Sequence, residues 1–303
     1  MKRTLVIGHG FDLDVGLKTR YIDFAESKWW PFKDARLQDG YETLAYTLNK
    51  KARLERWFDV EEAIYEYARQ DRERVLPSIH TIYSQDRKAY EELNKKLIQY
   101  LRDIEDDLEP AKESKAIRVL DEFYNSDGEK NIYTFNYTDL SWIAQINEVY
   151  YDRSVSCNYI HGSIGNRQII LGVGSNRELK KDYSVFYKTS SPIYKSSGLI
   201  NDLLESDEII IFGHSLGTND YPYFESFFKK AASLDTNSLL KRRKIMIYTK
   251  SYNDRLDIEY HLRQMVGSDV TLLKNLNDFY IICNNLDLLT DNGKQVIYHR
   301  KWL

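Results

Sequence analysis

Residues 4–12 read Thr-Leu-Val-Ile-Gly-His-Gly-Phe-Asp, and this stretch decides the fold class. Its first four residues form a short run of apolar and β-branched side chains, which is typical of a buried strand. The Gly-His-Gly turn closes that strand, and a helix is expected from Phe11 to about Ala25. A strand that leads through a glycine turn into a helix is the usual opening unit of a parallel α/β sheet.

The same alternation of strands and helices returns after residue 126. Strands separated by helices of about ten to fifteen residues fold with right-handed crossovers into a parallel sheet. We therefore predict an α/β fold with a Rossmann-like parallel sheet and flanking helices. The predicted strands are 132–135, 157–160, 169–171, 208–212, 244–248 and 270–273, and the predicted helices are 140–149, 199–204, 223–234 and 254–265.

The segment from about residue 29 to 125 has a different composition, rich in Glu, Lys, Arg, Tyr and Leu and poor in glycine. Apolar residues recur at spacings of three and four between Tyr90 and Leu108, which predicts a helix with one buried face that ends before Pro110. We predict a single domain over residues 1–303, discontinuous at about 1–28 and 126–303, with a helical insertion at about 29–125.

Charge and cysteine content exclude several classes of protein. The 43 Lys and Arg residues against 46 Asp and Glu give a formal net charge of −3, whereas nucleic-acid binders need a basic excess, so no nucleic-acid partner is expected. Two cysteines, Cys157 and Cys283, are too few for a disulfide framework or a four-cysteine zinc site. The apolar runs are too short for a bilayer and no signal-peptide pattern is present, so we expect a cytoplasmic protein without a membrane partner.

Glycine is scarce, and its placement is informative. Seven of the 14 glycines fall in four short clusters, which also hold three of the six histidines. Ligands of open parallel sheets bind beyond the carboxyl ends of the strands, where these clusters or their adjoining turns fall, so we predict one site at that edge. The glycines are Gly8, Gly10, Gly162, Gly172, Gly174, Gly213 and Gly217, and the histidines are His9, His161 and His214.

The loop of residues 8–12 has two interpretations. Its glycines and the following helix N-terminus could hold a pyrophosphate, or the loop could be a simple tight turn. As a dinucleotide fingerprint it is incomplete, because Leu13 stands where a third glycine is expected. Asp12 either bonds near a ribose or caps its helix.

Polar residues at later strand ends also have two interpretations each. The Asn136 amide could orient a ribose hydroxyl or a water, or it could lie in a turn before a helix that Asp139 caps. His161 could act as a general base, or it could be a structural residue at a strand end. Asp220 is expected to cap the helix predicted at 223–234.

Residues 213–217 read Gly-His-Ser-Leu-Gly and fit the G-x-S-x-G nucleophile elbow of α/β-hydrolases, with Ser215 as nucleophile. An elbow should enter its helix directly after the serine, but five residues intervene before the predicted helix start. The available triad partners, Asp257 with His261 or the C-terminal His299, are also poorly placed.

Taken together, the motifs resemble the AbiH family, the bacteriophage abortive-infection family of bacterial defence proteins. The family more commonly has Asn where this chain has His9. AbiH proteins in turn resemble the sirtuin-like NAD-binding fold, in which a Gly-x-Gly turn, an Asn turn, a His-Gly pair and a Gly-x-Ser turn follow successive strands. The matching stretches are 5–12, 57–61, 135–138, 160–162 and 211–216, with Asp220 and the pair 223–224.

This resemblance implies an antiphage protein that binds NAD and hydrolyses it to nicotinamide and ADP-ribose, with no metal. The first alternative is a non-catalytic nucleotide-binding sensor of infection. The second and less favoured alternative is a serine hydrolase that uses Ser215 as its nucleophile. Two cysteines argue against the zinc module of deacylating sirtuins. By this resemblance Asn136 and His161 are catalytic, and the nucleotide-binding residues are Gly8, His9, Gly10, Phe11, Asp12, Gly162, Gly213, His214, Ser215 and Asp220.

Three further expectations accompany the resemblance. Sirtuin-like NADases often have Asp two residues after the Asn, where this chain has Thr138. Trp57 and Glu61 of the insertion could form a lid over the pocket, or they could merely pack against the core. A phage-derived trigger is expected, and the 24 tyrosines could supply a homo-oligomer interface.

Overall fold

The computed structural model describes residues 1–38, 40–55, 58–70, 79–234 and 241–283. At its centre is a six-stranded parallel sheet, to which a separate antiparallel hairpin of two short strands is added. The sheet strands are β1 (Lys2–Ile7), β2 (Glu129–Thr134), β3 (Ser156–Tyr159), β6 (Glu208–Phe212), β7 (Lys244–Thr249) and β8 (Asp278–Cys283), and the hairpin strands are β4 (Gly162–Ser163) and β5 (Gln168–Ile169).

The strand order in the sheet is β3-β2-β1-β6-β7-β8. Numbered among themselves, the six strands therefore run 3-2-1-4-5-6, the order of the doubly wound dinucleotide-binding fold. The predicted Rossmann-like parallel sheet is confirmed. In this order the chain reverses direction across the sheet between β1 and β6, which places the crevice of the fold beyond the ends of those two strands.

Helices cover both faces of the sheet. Within the described residues they are α1 (His9–Asp14), α2 (Tyr21–Glu26), α3 (Leu44–Leu54), α4 (Val60–Ala68), α5 (Ile79–Asp106), α6 (Lys115–Asn125), α7 (Leu140–Ile146), α8 (Leu199–Glu205), α9 (Tyr221–Ala231), α10 (Tyr252–Val266) and α11 (Val270–Leu276). None of these helices is long and apolar enough to cross a membrane.

Strand β1 shows how the two layers of helices are held. Val6 belongs to the apolar cluster that contains Phe224 and Phe227 of α9. Leu5 and Ile7 belong to the cluster that contains Leu120 of α6 and residues of α7. Successive side chains of a strand point to opposite faces, so a strand covered on both faces is apolar throughout. This is why the first strand reads as a continuous apolar run.

Helices α2 to α5 contribute to a third apolar cluster, in which Leu48 of α3 and Tyr67 of α4 pack with Leu97 of α5 and with Trp30. This region corresponds to most of the predicted helical insertion. Its last predicted part differs, because α6 packs against the sheet. The division of the chain into a discontinuous domain and an insertion stays a prediction.

Three predicted elements are wrong. Of the strand predicted at 169–171, only Ile169 lies in a strand, and that strand is the two-residue β5, which pairs with β4 in the antiparallel hairpin and not in the parallel sheet. Residues 270–273 form part of helix α11, and the last described strand is β8. A four-residue apolar run fits a helical turn as well as a strand, and here only Leu273 of that helix is buried. The helix expected from Phe11 to about Ala25 is split into α1 and α2, because Gly16 adopts a φ of +94° that ends the first helix.

Candidate functional site

The site lies beyond the carboxyl ends of β1, β2, β3 and β6, where backbone hydrogen bonds join the loops. The Gly8 N–H donates to the Phe212 carbonyl at 2.9 Å, and the Gly10 N–H donates to the Gly213 carbonyl at 2.8 Å. The Phe135 N–H likewise donates to Ile7 at the end of β1. The structure thus brings together the loops that the sequence predicted to form one site.

The glycines of these loops serve contact between backbones. A Cβ atom on Gly10 would lie 2.7 Å from the Gly213 Cα, and one on Gly213 would lie 2.5 Å from the Phe11 nitrogen. The Gly213 φ of +64° also favours glycine. Gly162 has a φ of +76° and begins the β4–β5 hairpin, where a Cβ would collide with the Gln168 carbonyl. The missing Cβ atoms of these glycines therefore allow backbone segments of the protein to pack against each other.

This packing removes donors from the predicted phosphate loop. The N–H groups of Gly8 and Gly10 are engaged with the β6 loop, and the Phe11 N–H donates to the Gly8 carbonyl at 2.9 Å. The Phe11 ring is buried edge-on against Phe212 in the core. Three of the five predicted phosphate-binding positions therefore have no free N–H in this arrangement, while the His9 side chain is exposed at the rim.

Asn136 and Asp12 form a buried hydrogen-bonded unit below the crevice. The Asn136 Nδ2 donates to Asp12 Oδ1 at 2.7 Å and to the Gly8 carbonyl at 3.1 Å, and the Thr138 hydroxyl lies 3.0 Å from both Asp12 oxygens. Among the described residues, Asn136 Oδ1 has no hydrogen-bond partner. Asp12 neither caps α1 nor lies exposed for a ribose, and Asp139 caps α7 as predicted. Thr138 stands where the resemblance led us to expect an aspartate, and Asp12 places a carboxylate next to it.

Burial raises the pKa of Asp12 to about 7, although hydrogen bonds from Thr138 and Asn136 oppose the shift. The pKa of an unfolded Asp is about 3.9, so the stability that Asp12 contributes is fully present below that pH and is lost as the pH rises toward and past 7. Asp12→Asn keeps an acceptor oxygen for Asn136 and removes the charge. We expect this variant to gain a few kcal/mol of unfolding free energy at pH 8 and little at pH 4 in urea titrations.

Asp152 offers a control of opposite sign. Hydrogen bonds from Ser154 lower the pKa of this exposed carboxyl, so Asp152→Asn should lose stability at neutral pH and be unaffected at low pH. If the unfolding free energy of Asp12→Asn changed with pH in the same way as that of the wild type, the assignment of a raised pKa to Asp12 would be wrong.

His161 is buried, with 4% of its surface exposed, and its Nε2 lies 3.5 Å from the Lys188 ammonium nitrogen. Burial, reinforced by Lys188, lowers the pKa of His161 to about 3. Its ring packs edge-on against Phe135 and Tyr223. The imidazole is therefore neutral at physiological pH and its Nε2 faces a cation, which does not favour the predicted role of His161 as a general base.

His214 also packs against Phe135, and its ring faces Asp220. His214 Nδ1 accepts the Leu216 N–H at 2.9 Å, so a neutral ring carries its proton on Nε2, which faces Asp220 Oδ2 at 3.4 Å. Asp220 was predicted to cap α9, but its side chain makes no capping bond. Its Oδ1 is buried without a hydrogen-bond partner in the described part of the chain and lies 3.7 Å from Lys188 Nζ.

Lys188 is the residue that sequence reasoning missed. Its side chain is only 5% exposed and pairs with Glu61 Oε2 of α4 at 3.1 Å, and Glu61 Oε1 accepts the Gly172 N–H at 3.2 Å. Lys188 begins a short 3₁₀ helix, Lys188–Ser190, that has no recognisable motif, so the sequence carries no signal for it. We call Glu61, His161, Lys188, His214 and Asp220 the Lys188 cluster.

The charges of the Lys188 cluster are strongly coupled. Burial alone would lower the pKa of Lys188, but Glu61 and Asp220 outweigh it and hold the pKa above its ordinary value. Burial alone would raise the pKa of Asp220, but Lys188 and His214 hold it well below its ordinary value. Burial raises the pKa of Glu61 to about 7 against the pull of Lys188. Lys188 and Asp220 therefore stay charged at neutral pH, whereas the pKa of Glu61 lies near neutrality.

The hydrolase interpretation finds little support in the geometry. Ser215 is exposed, and a 3₁₀ turn at Thr218–Asp220 separates it from α9. In a nucleophile elbow the serine itself lies on the strained turn, but here the non-glycine residue of the loop with a positive φ is Leu216, at +55°. Within the described residues no histidine bonds to the serine, and His261 Nδ1 instead lies 3.0 Å from the Tyr221 hydroxyl. His299 lies outside the described residues, as does Trp57 of the predicted lid.

Fold and site together define an α/β protein of the doubly wound class with a polar site at its switch point. A family model described as bacteriophage abortive infection AbiH matches residues 4–240. The chain therefore belongs to the AbiH family, as its motifs indicated, and the family assigns it to antiphage abortive infection. No curated protein and no solved structure matches the chain significantly.

Proposed function

We propose that this AbiH protein binds NAD at the switch point of its sheet and hydrolyses it to nicotinamide and ADP-ribose. The observation that carries the proposal is the 3-2-1-4-5-6 strand order, because sheets of this order bind dinucleotides across the crevice at the reversal. Asn136, His161 and the β6 loop meet at that crevice.

The chemistry matches the groups present. When the bond between ribose C1′ and the nicotinamide nitrogen breaks, its electron pair leaves with a neutral nicotinamide and positive charge develops on the ribose. Water then adds to C1′ and loses a proton. A fixed anion close to the ribose stabilises that charge, and Asp220, held ionised by Lys188, suits the role. Asn136 Oδ1, which has no partner in the described region, suits a ribose hydroxyl or the water.

The phosphates would be held from the rim of the crevice. The N–H groups of Gly8, Gly10 and Phe11 are engaged within the protein, so we assign phosphate contacts to the exposed side chains of His9 and Ser215 in the same two loops.

The engaged N–H groups and the position of His161 against Lys188 also favour a second candidate, a nucleotide-binding sensor without catalysis. In that case NAD binds and the protein responds to infection, but nicotinamide is not released.

Asn136→Ala separates these functions. In cells that express the protein and are infected with phage, we expect wild-type protein to deplete NAD with release of nicotinamide, and Asn136→Ala to reduce the rate at least 100-fold. Asn158→Ala is the matched control, since Asn158 lies on β3 and bonds Ser156 away from the crevice. Nicotinamide is followed by chromatography and NAD binding by calorimetry. Binding without release supports the sensor, and the absence of both contradicts the proposed function.

A further inference from the structure

Hydrolysis of NAD needs a group that takes a proton from the attacking water, and the residues predicted for chemistry do not provide one. Burial beside Lys188 lowers the pKa of His161 to about 3, which makes it a weak base, and the Asn136 amide is not a base. Asp220 is held ionised between Lys188 and His214, which makes it a weak proton acceptor. The remaining carboxylate of the cluster is Glu61, which contacts Lys188 at 3.1 Å.

We propose that Glu61, in the first turn of helix α4, accepts the proton of the attacking water and thereby makes the helical insertion part of the active site. This inference rests on the proposed function. It assigns a catalytic role to a residue outside the strand-end loops, from a segment far from them in sequence.

The start of α4 directs two successive carboxylates to opposite partners. Asp59 caps the helix by accepting the N–H groups of Glu61 at 2.8 Å and Glu62 at 3.1 Å. Glu61 then reaches Lys188 in the core, where its side chain is 12% exposed. Glu62 instead forms a two-pronged pair with Arg177. The neighbouring glutamate therefore provides a natural control.

A charge count shows why Glu61 can take a proton. Lys188 contributes one positive charge to the cluster, and Glu61 and Asp220 contribute two negative charges, while burial beside Lys188 keeps His161 neutral. Protonation of Glu61 leaves Lys188 and Asp220 as a neutral pair, which is the cheaper arrangement in a buried site.

Burial is the largest cause of the raised pKa of Glu61, and the charged groups around it modify that shift. Asp59 on its own helix and Asp220 from the core raise its pKa electrostatically, while Lys188 opposes them. The phenols of Tyr21, Tyr90 and Tyr137 lie within electrostatic range of the Glu61 carboxylate. The resulting pKa of about 7 is near the value at which a general base is most effective.

The reaction step is balanced without a further reactant. The bond from C1′ to nitrogen breaks and its electrons go to nicotinamide, the water oxygen bonds to C1′, and the water proton moves to a Glu61 oxygen. Glu61 later returns this proton to solvent. The products are nicotinamide, ADP-ribose and one proton.

Azide tests the role of Glu61, because it is an anionic nucleophile with no proton to lose. In wild-type protein activated in phage-infected cells, and in the variants prepared alike, we expect Glu61→Gln to lower NAD hydrolysis 100-fold or more, with NAD binding within a few-fold of wild type. Glu61→Ala should regain nicotinamide release in azide and form ADP-ribosyl azide. Glu62→Gln should hydrolyse NAD at nearly the wild-type rate, and Asn136→Ala should gain nothing from azide.

Two results would overturn the role of Glu61 alone. One is a wild-type rate in Glu61→Gln. The other is Glu61→Ala that is folded by circular dichroism and binds NAD but gives no azide product. Wild-type protein that binds NAD but releases no nicotinamide in infected cells would instead overturn NAD hydrolysis itself, and this inference with it. The wild-type protein therefore tests the proposed function, whereas the Glu61 variants test the role of Glu61.

Discussion

Lys188→Met should lower the free energy of unfolding by about 3–5 kcal/mol, because removing one partner of a buried ion pair leaves uncompensated charge behind. Lys188 is almost fully enclosed and contacts Glu61 at 3.1 Å and Asp220 at 3.7 Å. Methionine fills a similar volume, so the loss reports on charge more than on packing. Urea titrations at pH 7.5 measure it.

Two controls distinguish this effect from the general cost of losing a lysine. Lys229→Met removes an exposed pair with Glu225 on α9 and should cost about 0–1 kcal/mol. Lys188→Met combined with Glu61→Gln should recover part of the loss, because one of the two stranded carboxylates is then neutral. A loss below about 1 kcal/mol in Lys188→Met would show that the carboxylates are stabilised by something other than the ammonium.

The parts of the fold that could be predicted are those in which one physical effect dominates. Strands β1 and β6 are buried on both faces, so their apolar runs could be read without knowledge of their neighbours. The run at 270–273, like the run at 4–7, has one threonine and three aliphatic residues. It lies in a short helix, in which only Leu273 is buried. No local pattern distinguishes the two cases.

The candidate site divides in the same way. Asn136, His161 and Asp220 could be placed in one site because each follows the carboxyl end of a strand or its loop, and topology alone brings such loops together. Lys188 could not, because a buried lysine is defined by partners 127 and 32 positions away in the chain. The predicted role of His161 did not anticipate Lys188 for the same reason.

Glycines in the loops illustrate a further limit. A ligand that approaches the backbone and a second loop that approaches the backbone both require a missing Cβ, so the sequence cannot separate them. In this protein Gly8 and Gly10 meet the backbone of residues 213 and 214. The clustering of the glycines predicted that these loops meet, and the contacts of Gly8 and Gly10 are with other backbone of the protein.

Gly213→Ala should therefore be damaging even if no ligand ever contacts Gly213. The residue has a φ of +64°, which costs an alanine about 1–2 kcal/mol. Its new Cβ would also lie 2.5 Å from the Phe11 nitrogen and 2.6 Å from the Gly10 Cα, all backbone atoms that cannot rotate away. The combined expectation is a loss of about 2–5 kcal/mol of unfolding free energy, measured by urea titration, together with loss of the NAD binding that we propose.

Gly16→Ala separates the two contributions. Gly16 also has a positive φ, of +94°, but an added Cβ would meet no atom within 4 Å. It should therefore lose only the conformational cost of about 1–2 kcal/mol and retain NAD binding. If Gly213→Ala were no less stable than Gly16→Ala, the β1 and β6 loops would have to separate readily. The crevice between them would then be formed by the nucleotide on binding, whereas a clear difference means that the two loops are held together before any ligand arrives.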